Sequence, residues 1–182
     1  ANNSCASVPN VNEALLYSFC GETCWDGNLV WTMNKHLYKG GMWFQKLNKI
    51  SSGGHTGFTH PVTNIYQWSN NYIPSSSNTY WNSWSEGDEG NVSAGAWTKD
   101  VTKQGKPTNI ENYFFLPAMG YLNKNGMLVL GDNDKYGYYG SYWTSNGVNL
   151  GYQALSLHFN DKKVGVNVDV RLWAYPIFDA VT

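Results

Sequence analysis

The residues best suited to chemistry in this chain cluster in one stretch, Asp132 to Tyr152. Tyrosines there supply large rigid contact areas with one polar handle each, and Asn and Asp supply oriented acceptors and donors. That mixture suits stacking on a sugar or docking on a protein surface. The expected ligand-binding face is Asp132, Asn133, Asp134, Tyr136, Tyr138, Tyr139, Tyr142, Asn146, Asn149 and Tyr152. The competing reading places half of the aromatics of this stretch in the core, beginning with Trp143 in the strand-like run Tyr142-Trp143-Thr144-Ser145.

Catalytic chemistry is harder to find. The four histidines, His36, His55, His60 and His158, are scattered. His55 and His60 flank a Gly-rich loop, yet no Ser/His/Asp set or carboxylate pair is legible by spacing. No catalytic residue is assigned, and the chain reads as a non-enzyme. Gly131-Asp132-Asn133-Asp134-Lys135-Tyr136-Gly137 echoes part of a calcium loop but lacks the distal glutamate. Glu86-Gly87-Asp88-Glu89-Gly90-Asn91 is a second acidic loop, with a solvated turn as the plain alternative. No metal and no cofactor are expected. The three cysteines, Cys5, Cys20 and Cys24, allow at most one intrachain bridge, Cys5 with Cys20 or with Cys24. Small buried thiols without a bridge are the alternative. Zinc is disfavoured, because it takes about four ligands and the nearest histidine is His36.

Composition narrows the class. At 182 residues the chain is one domain, 1–182, large enough for its own core. Charged residues make up only 14 %, aromatics reach 16 %, and the net charge is −1. So many aromatics argue against disorder. The charge leaves no electrostatic footprint for nucleic acid or an anionic membrane, and no run approaches the ~18 apolar residues of a membrane span. A Tyr/Trp/Asn/Gly-rich surface with few charges is the vocabulary of extracellular binding proteins. The first residue is Ala rather than Met, which leaves secretion open.

The elements that must position the face follow from periodicity. Asn10-Val11-Asn12-Glu13 reads as a capping box, and Val11, Leu15, Leu16 and Phe19 share one side, predicting a helix to about Cys20 that stops at Gly21. Trp25-Asp26-Gly27-Asn28 reads as a turn, Gly40-Gly41 as a break, and Met42–Leu47 as a short strand. Residues 51–112 are irregular, but a loop that long is unusual in a compact domain, so an element must lie within them. The firmest prediction is a C-terminal hairpin. Leu155, Leu157 and Phe159 alternate with polar residues, as do Val164, Val166, Val168, Val170 and Leu172, with Asn160–Lys163 as the turn. One face of the second strand enters the core, and Asn167, Asp169 and Arg171 share the other.

The order of these segments resembles a known family. Leu116-Pro117-Ala118-Met119-Gly120-Tyr121, an aromatic-Gly run ending in Tyr142-Trp143-Thr144-Ser145, an Ala-x-x-Leu-x-Phe strand (Ala154, Leu157, Phe159), and Arg171 before Pro176 look like the bacterial C-type lectin-like fold. Its members include formylglycine-generating-enzyme-like domains, the variable proteins of diversity-generating retroelements, and lectin-like domains of surface and pilus-tip proteins. The resemblance covers roughly the last third of the chain; Trp25-Asp26-Gly27 and Gly40–Phe44 add a likeness to the surface and pilus-tip group. It implies an α+β fold with two helices flanking a small twisted antiparallel sheet, the second helix falling between Pro61 and Pro107. It also implies long loops that form the ligand face. The usual Val-Arg-Pro-Val ending and the calcium-lectin motifs are missing. No Cys follows Cys24, so the active-site cysteine pair of the formylglycine-generating relatives is missing as well. The expected function is a secreted or surface-displayed, adhesin-like binding domain for a glycan or surface protein. It would bind no nucleic acid, would not insert into a membrane, and could belong to a larger surface assembly. The alternative is a structural pilus or phage-tail subunit that assembles through the same face, with Val164–Leu172 as the strand whose edge would mark it.

Overall fold

A computed structural model describes residues 7–9, 11–50, 97–131, 138–148 and 153–179. The architecture is mostly β, which corrects the expected α+β, C-type lectin-like arrangement of two flanking helices. The described residues hold one short α-helix running into a π-helical turn, two three-residue 3-10 turns and three sheets. The second helix expected between Pro61 and Pro107 falls partly on 61–96, outside the described residues. Where 97–107 are described they contain strands.

The first sheet is built on a hairpin of β1 (Thr23–Met33) and β2 (His36–Gln45). Its turn is Asn34-Lys35, both in the left-handed region, as a two-residue turn matched to strand twist requires. β4 (Lys103–Gln104) lies parallel to β1, and β5 (Tyr113–Pro117) antiparallel to β2. Trp25–Asn28 and Gly40-Gly41 are therefore strand, where a turn and a break were expected. Asp26 explains the first correction. Its carboxylate is buried and accepts the backbone N–H groups of Asn28 and Leu29, both at 3.1 Å, and the Trp43 indole N–H at 3.2 Å. The register shifts between Asp26 and Val30, so turn-like residues form a bulge inside a continuous strand. At Gly41 the Phe115 ring and the Leu116 carbonyl occupy the space a Cβ would need, so the glycine admits a neighbour rather than ending the strand. We expect Asp26→Ala to cost about 1–3 kcal/mol in urea denaturation, because the buried Trp43 indole N–H and two part-buried backbone N–H groups lose their acceptor. Asp26→Asn, which keeps an amide oxygen, should cost less. Equal stability of Asp26→Ala and wild type would remove the carboxylate from this account.

The second sheet has the order β3-β10-β9-β8: β3 (Trp97–Asp100), β10 (Lys163–Val170), β9 (Gln153–Asn160) and β8 (Tyr139–Val148). The predicted hairpin is present as β9–β10, turning at Asp161-Lys162. β10 lies between β3 and β9 over 163–166, so it is not a free edge there. Strand β8 contains the strand-like run Tyr142–Ser145 and begins three residues before it, at Tyr139. A small hairpin, β6 (Tyr121–Leu122) with β7 (Leu128–Val129), forms the third sheet.

The predicted N-terminal helix is α1 (Val11–Leu15), continued by a wider π-helical turn over Leu16–Cys20, with the Gly21 N–H on the Leu16 carbonyl at 2.8 Å. Asn10 of the expected capping box lies outside the described residues. Ala14, Leu15, Leu16 and Tyr17 are all buried, joining Met42, Phe44 and Leu116 of the first sheet to Leu155, Leu157, Phe159, Val164 and Val166 of the second in one core. The Lys99 ammonium, from β3, donates to the Phe19 and Gly21 carbonyls at 3.1 and 3.3 Å and ties the second sheet to the helix end. Burial lowers its pKa.

Candidate functional site

The expected face divides on inspection. Asp132, Asn133, Asp134, Tyr136, Asn149 and Tyr152 lie outside the described residues. Asn146 is placed in β8 by its backbone alone. Tyr138 is exposed. Tyr139 and Tyr142 correct the prediction, since both are buried. Tyr142 points from β8 to the shared core, stacks with Phe159 at 6.0 Å, and donates its hydroxyl to the Pro117 carbonyl at 2.7 Å, while Tyr139, three residues earlier and so on the other face, packs against Tyr121 and His158. Burial pushes its phenol well above the usual range. Trp143 is half-buried against Tyr175, with ring centroids 4.4 Å apart.

A different group of side chains comes together at the end of the first sheet. Strand alternation puts Glu22, Cys24 and Asp26 on one side of the β1 line. Cross-strand pairing continues that side through Trp43 and Gln45 on β2 and Tyr113 and Phe115 on β5. Gln45 locks the start of β1, its side-chain oxygen accepting the Glu22 N–H at 3.0 Å while its NH₂ reaches the Lys49 carbonyl at 2.9 Å. β4 brings in Lys103 from 81 residues away in sequence. The segment 104–112 then curves over the end, held by the Gly105 N–H on the Trp25 carbonyl at 2.7 Å and the Gln104 amide on the Asp161 carbonyl at 3.2 Å. The result is an open cleft of 480 Å³ lined by Glu22, Cys24, Gln45, Lys103, Tyr113 and the 104–109 segment with Asn112.

Its electrostatics centre on Glu22. One carboxylate oxygen accepts the Tyr113 hydroxyl at 2.6 Å and lies 3.8 Å from the Cys24 thiol; the other pairs with the Lys103 ammonium. The Lys103 hydrogen bond, then the Tyr113 one, hold the Glu22 carboxyl below its ordinary range. Burial, followed by the Glu22 charge, pushes the Cys24 thiol up. Burial and the hydrogen bond to Glu22 also raise the Tyr113 phenol. The cleft therefore offers a fixed carboxylate, an ammonium, a phenol and several amides, with no low-pKa nucleophile.

Sequence reasoning missed Glu22, Lys103 and Tyr113, and named Cys24 only as a thiol. One signal was available: Glu22, Cys24 and Asp26 alternate with Thr23 and Trp25, which would have marked a strand had Asp26-Gly27 not suggested a turn. Among the described residues, no group of three His, Cys, Asp or Glu could hold a metal ion, and no helix is long and apolar enough to cross a membrane. Comparison of the chain with protein-family models, with curated proteins and with solved structures returns no match.

Proposed function

We propose that this chain is a non-catalytic, adhesin-like binding domain acting outside the cell, and that the Glu22–Lys103–Tyr113 cleft takes a neutral sugar unit of a glycan. One observation carries this reading. The paired charges of Glu22 and Lys103 line an open cleft among amides and hydroxyls, so it offers the strong acceptors and donors that sugar hydroxyls take. The protonation states point the same way. A thiol pushed up by burial is a poor nucleophile, and a carboxyl held low is a poor proton donor. The low content of charged residues and the many Tyr, Trp and Asn support an extracellular setting.

A glycan array followed by titration tests the proposal. Glu22→Gln should weaken binding about tenfold or more, as expected for loss of a charged hydrogen-bonding partner. Tyr138→Ala, on the face expected from the sequence, should leave affinity unchanged, and chelator should have no effect. Binding that survives Glu22→Gln but not Tyr138→Ala would move the site back to that face.

The structural-subunit reading has its own observation. The β1–β2 ribbon carries Val30 and Leu37 at 58 % and 75 % exposure, beside a Trp31–Tyr38 stack at 4.8 Å. Concentration-dependent self-association lost in Leu37→Asp, with no glycan bound, would favour assembly through that ribbon.

A further inference from the structure

One wall of the Glu22 cleft carries a charge that the neutral-sugar reading leaves unused. The strand order β4-β1-β2-β5 puts β4 and β5 on opposite edges of the first sheet. The chain leaving β4 at Gln104 must therefore cross the width of the sheet before it enters β5 at Tyr113. Three strand spacings separate those edges, about 14 Å, and residues 105–112 make the crossing. The cleft lies between this crossing and the side of the sheet that carries Glu22, Cys24 and Gln45. Lys106 sits near the start of the crossing and lines the cleft. Its place is fixed on both sides. Gly105 turns the chain in the left-handed region, with its N–H on the Trp25 carbonyl at 2.7 Å. Pro107 holds the residue before it to extended backbone.

Three charged side chains line the cleft: Glu22, Lys103 and Lys106. Glu22 and Lys103 pair with each other. Lys106 is exposed, and among the described residues its ammonium has no ion-pair or hydrogen-bond partner. The rest of the lining is neutral: a thiol, amides, hydroxyls, a proline and backbone. Glu111, the one acid of the crossing, does not line the cleft. The cleft therefore presents one surplus positive charge, held beside a carboxylate whose own cation is already engaged.

We propose that Lys106 makes the cleft selective for an acidic glycan, one that carries a single carboxylate or sulfate ester on the sugar unit next to the one bound at Glu22. The inference rests on the reading of the cleft as a sugar site. Repulsion decides where the anion goes. On the unit held at Glu22 it would face that carboxylate, and Lys103 is already paired there. On the neighbouring unit it meets Lys106 instead.

The chemistry of the ammonium sets the ligand class. It is a compact point charge with three donors, so a carboxylate and a sulfate ester both satisfy it. One surplus cation matches one anion. A run of sulfates would bring charge that nothing in the lining offsets, toward a chain whose net charge is already −1. Hydrogen bonds at Glu22 and its neighbours supply the affinity, and Lys106 adds discrimination. An exposed ion pair contributes modestly, so the preference for the acidic sugar should be about two- to fivefold.

A printed array of matched glycan triplets tests this on the full chain, followed by titration of the triplet bound best. Members of a triplet share a backbone and differ in one unit: a hexose, its uronic acid or its sulfate ester. At low salt an acidic member should bind about two- to fivefold tighter than the neutral one. The advantage should vanish at about 1 M salt, where charges are screened within about 3 Å. Lys106→Gln should bring the ratio of affinities to about one, and Lys106→Glu should reverse it; both change an exposed side chain and leave the fold intact. Preference for either acidic member supports the proposal, and which one is preferred names the group. Equal binding of the neutral member, or a preference that survives both Lys106 variants, would overturn it. If Glu22→Gln still weakens every member in that case, the sugar cleft stands and only the acidic selection falls. A chain that binds no triplet removes both.

Discussion

Phe159→Ala should lower the unfolding free energy by about 3–5 kcal/mol, the range for removing a fully buried aromatic ring. The side chain is wholly inaccessible and joins the two sheets. Its ring meets Phe44 of the first sheet edge-on at 5.4 Å and stacks with Tyr142 of the second at 6.0 Å. It also lies across Gly140, its partner on the neighbouring strand, where a Cβ would overlap the ring. Few residues could follow the ring into the space it leaves, because α1 and both sheets close on it. For a chain of this length the loss corresponds to a fall in melting temperature of about 6–20 °C. Phe159→Leu should recover part of it. A loss below about 1 kcal/mol in urea denaturation would mean that the sheets do not share this core.

Gly120→Ala and Gly126→Ala should differ sharply although the two glycines are six residues apart in one hairpin region. Both have positive φ, +59° and +73°, so each alanine carries about 1 kcal/mol of left-handed strain. At Gly126 a Cβ meets nothing within 4 Å, and the cost should stop there. At Gly120 a Cβ would fall on the Val129 carbonyl, which is backbone and cannot rotate away. Gly120 also donates its N–H to the Tyr139 carbonyl at 2.9 Å, which anchors the β6–β7 hairpin to the second sheet. We expect Gly120→Ala to cost on the order of 3 kcal/mol or more, or to detach the hairpin, read as lost amide protection at Tyr121, Leu122 and Val129. Equal costs for the two variants would contradict the close approach at Gly120.

The parts of the fold legible in the sequence are those whose signal is local. Nine residues of strict alternation announced β10, and apolar spacing of three and four announced the helix ending at Gly21. The β1–β2 hairpin was hidden because its punctuation, Asp26-Gly27 and Gly40-Gly41, has a tertiary purpose. Asp26 folds its carboxylate back on a bulge and reaches Trp43, and Gly41 makes room for Phe115, more than seventy residues away.

The same distinction governs the candidate sites. Composition alone pointed to a protein of few charges and many aromatics, rich in hydrogen-bonding side chains. Alternation set Asp169 on the face of its strand away from the core, and Tyr142 was expected on the ligand face, but a two-residue period is silent about what covers each face. Packing against the first sheet made Tyr142 a core residue, its hydroxyl on the Pro117 carbonyl, and Asp169 is buried as well. The cleft was illegible for a related reason. Glu22 stands just before β1, Lys103 in β4 and Tyr113 in β5, and no spacing rule relates residues 81 and 91 positions apart. The sequence by itself determined which segments alternate and which residues could bond. Only the tertiary structure decided which of them meet, because the pairing of β1 with β4 and of β2 with β5 depends on partners distant in the chain.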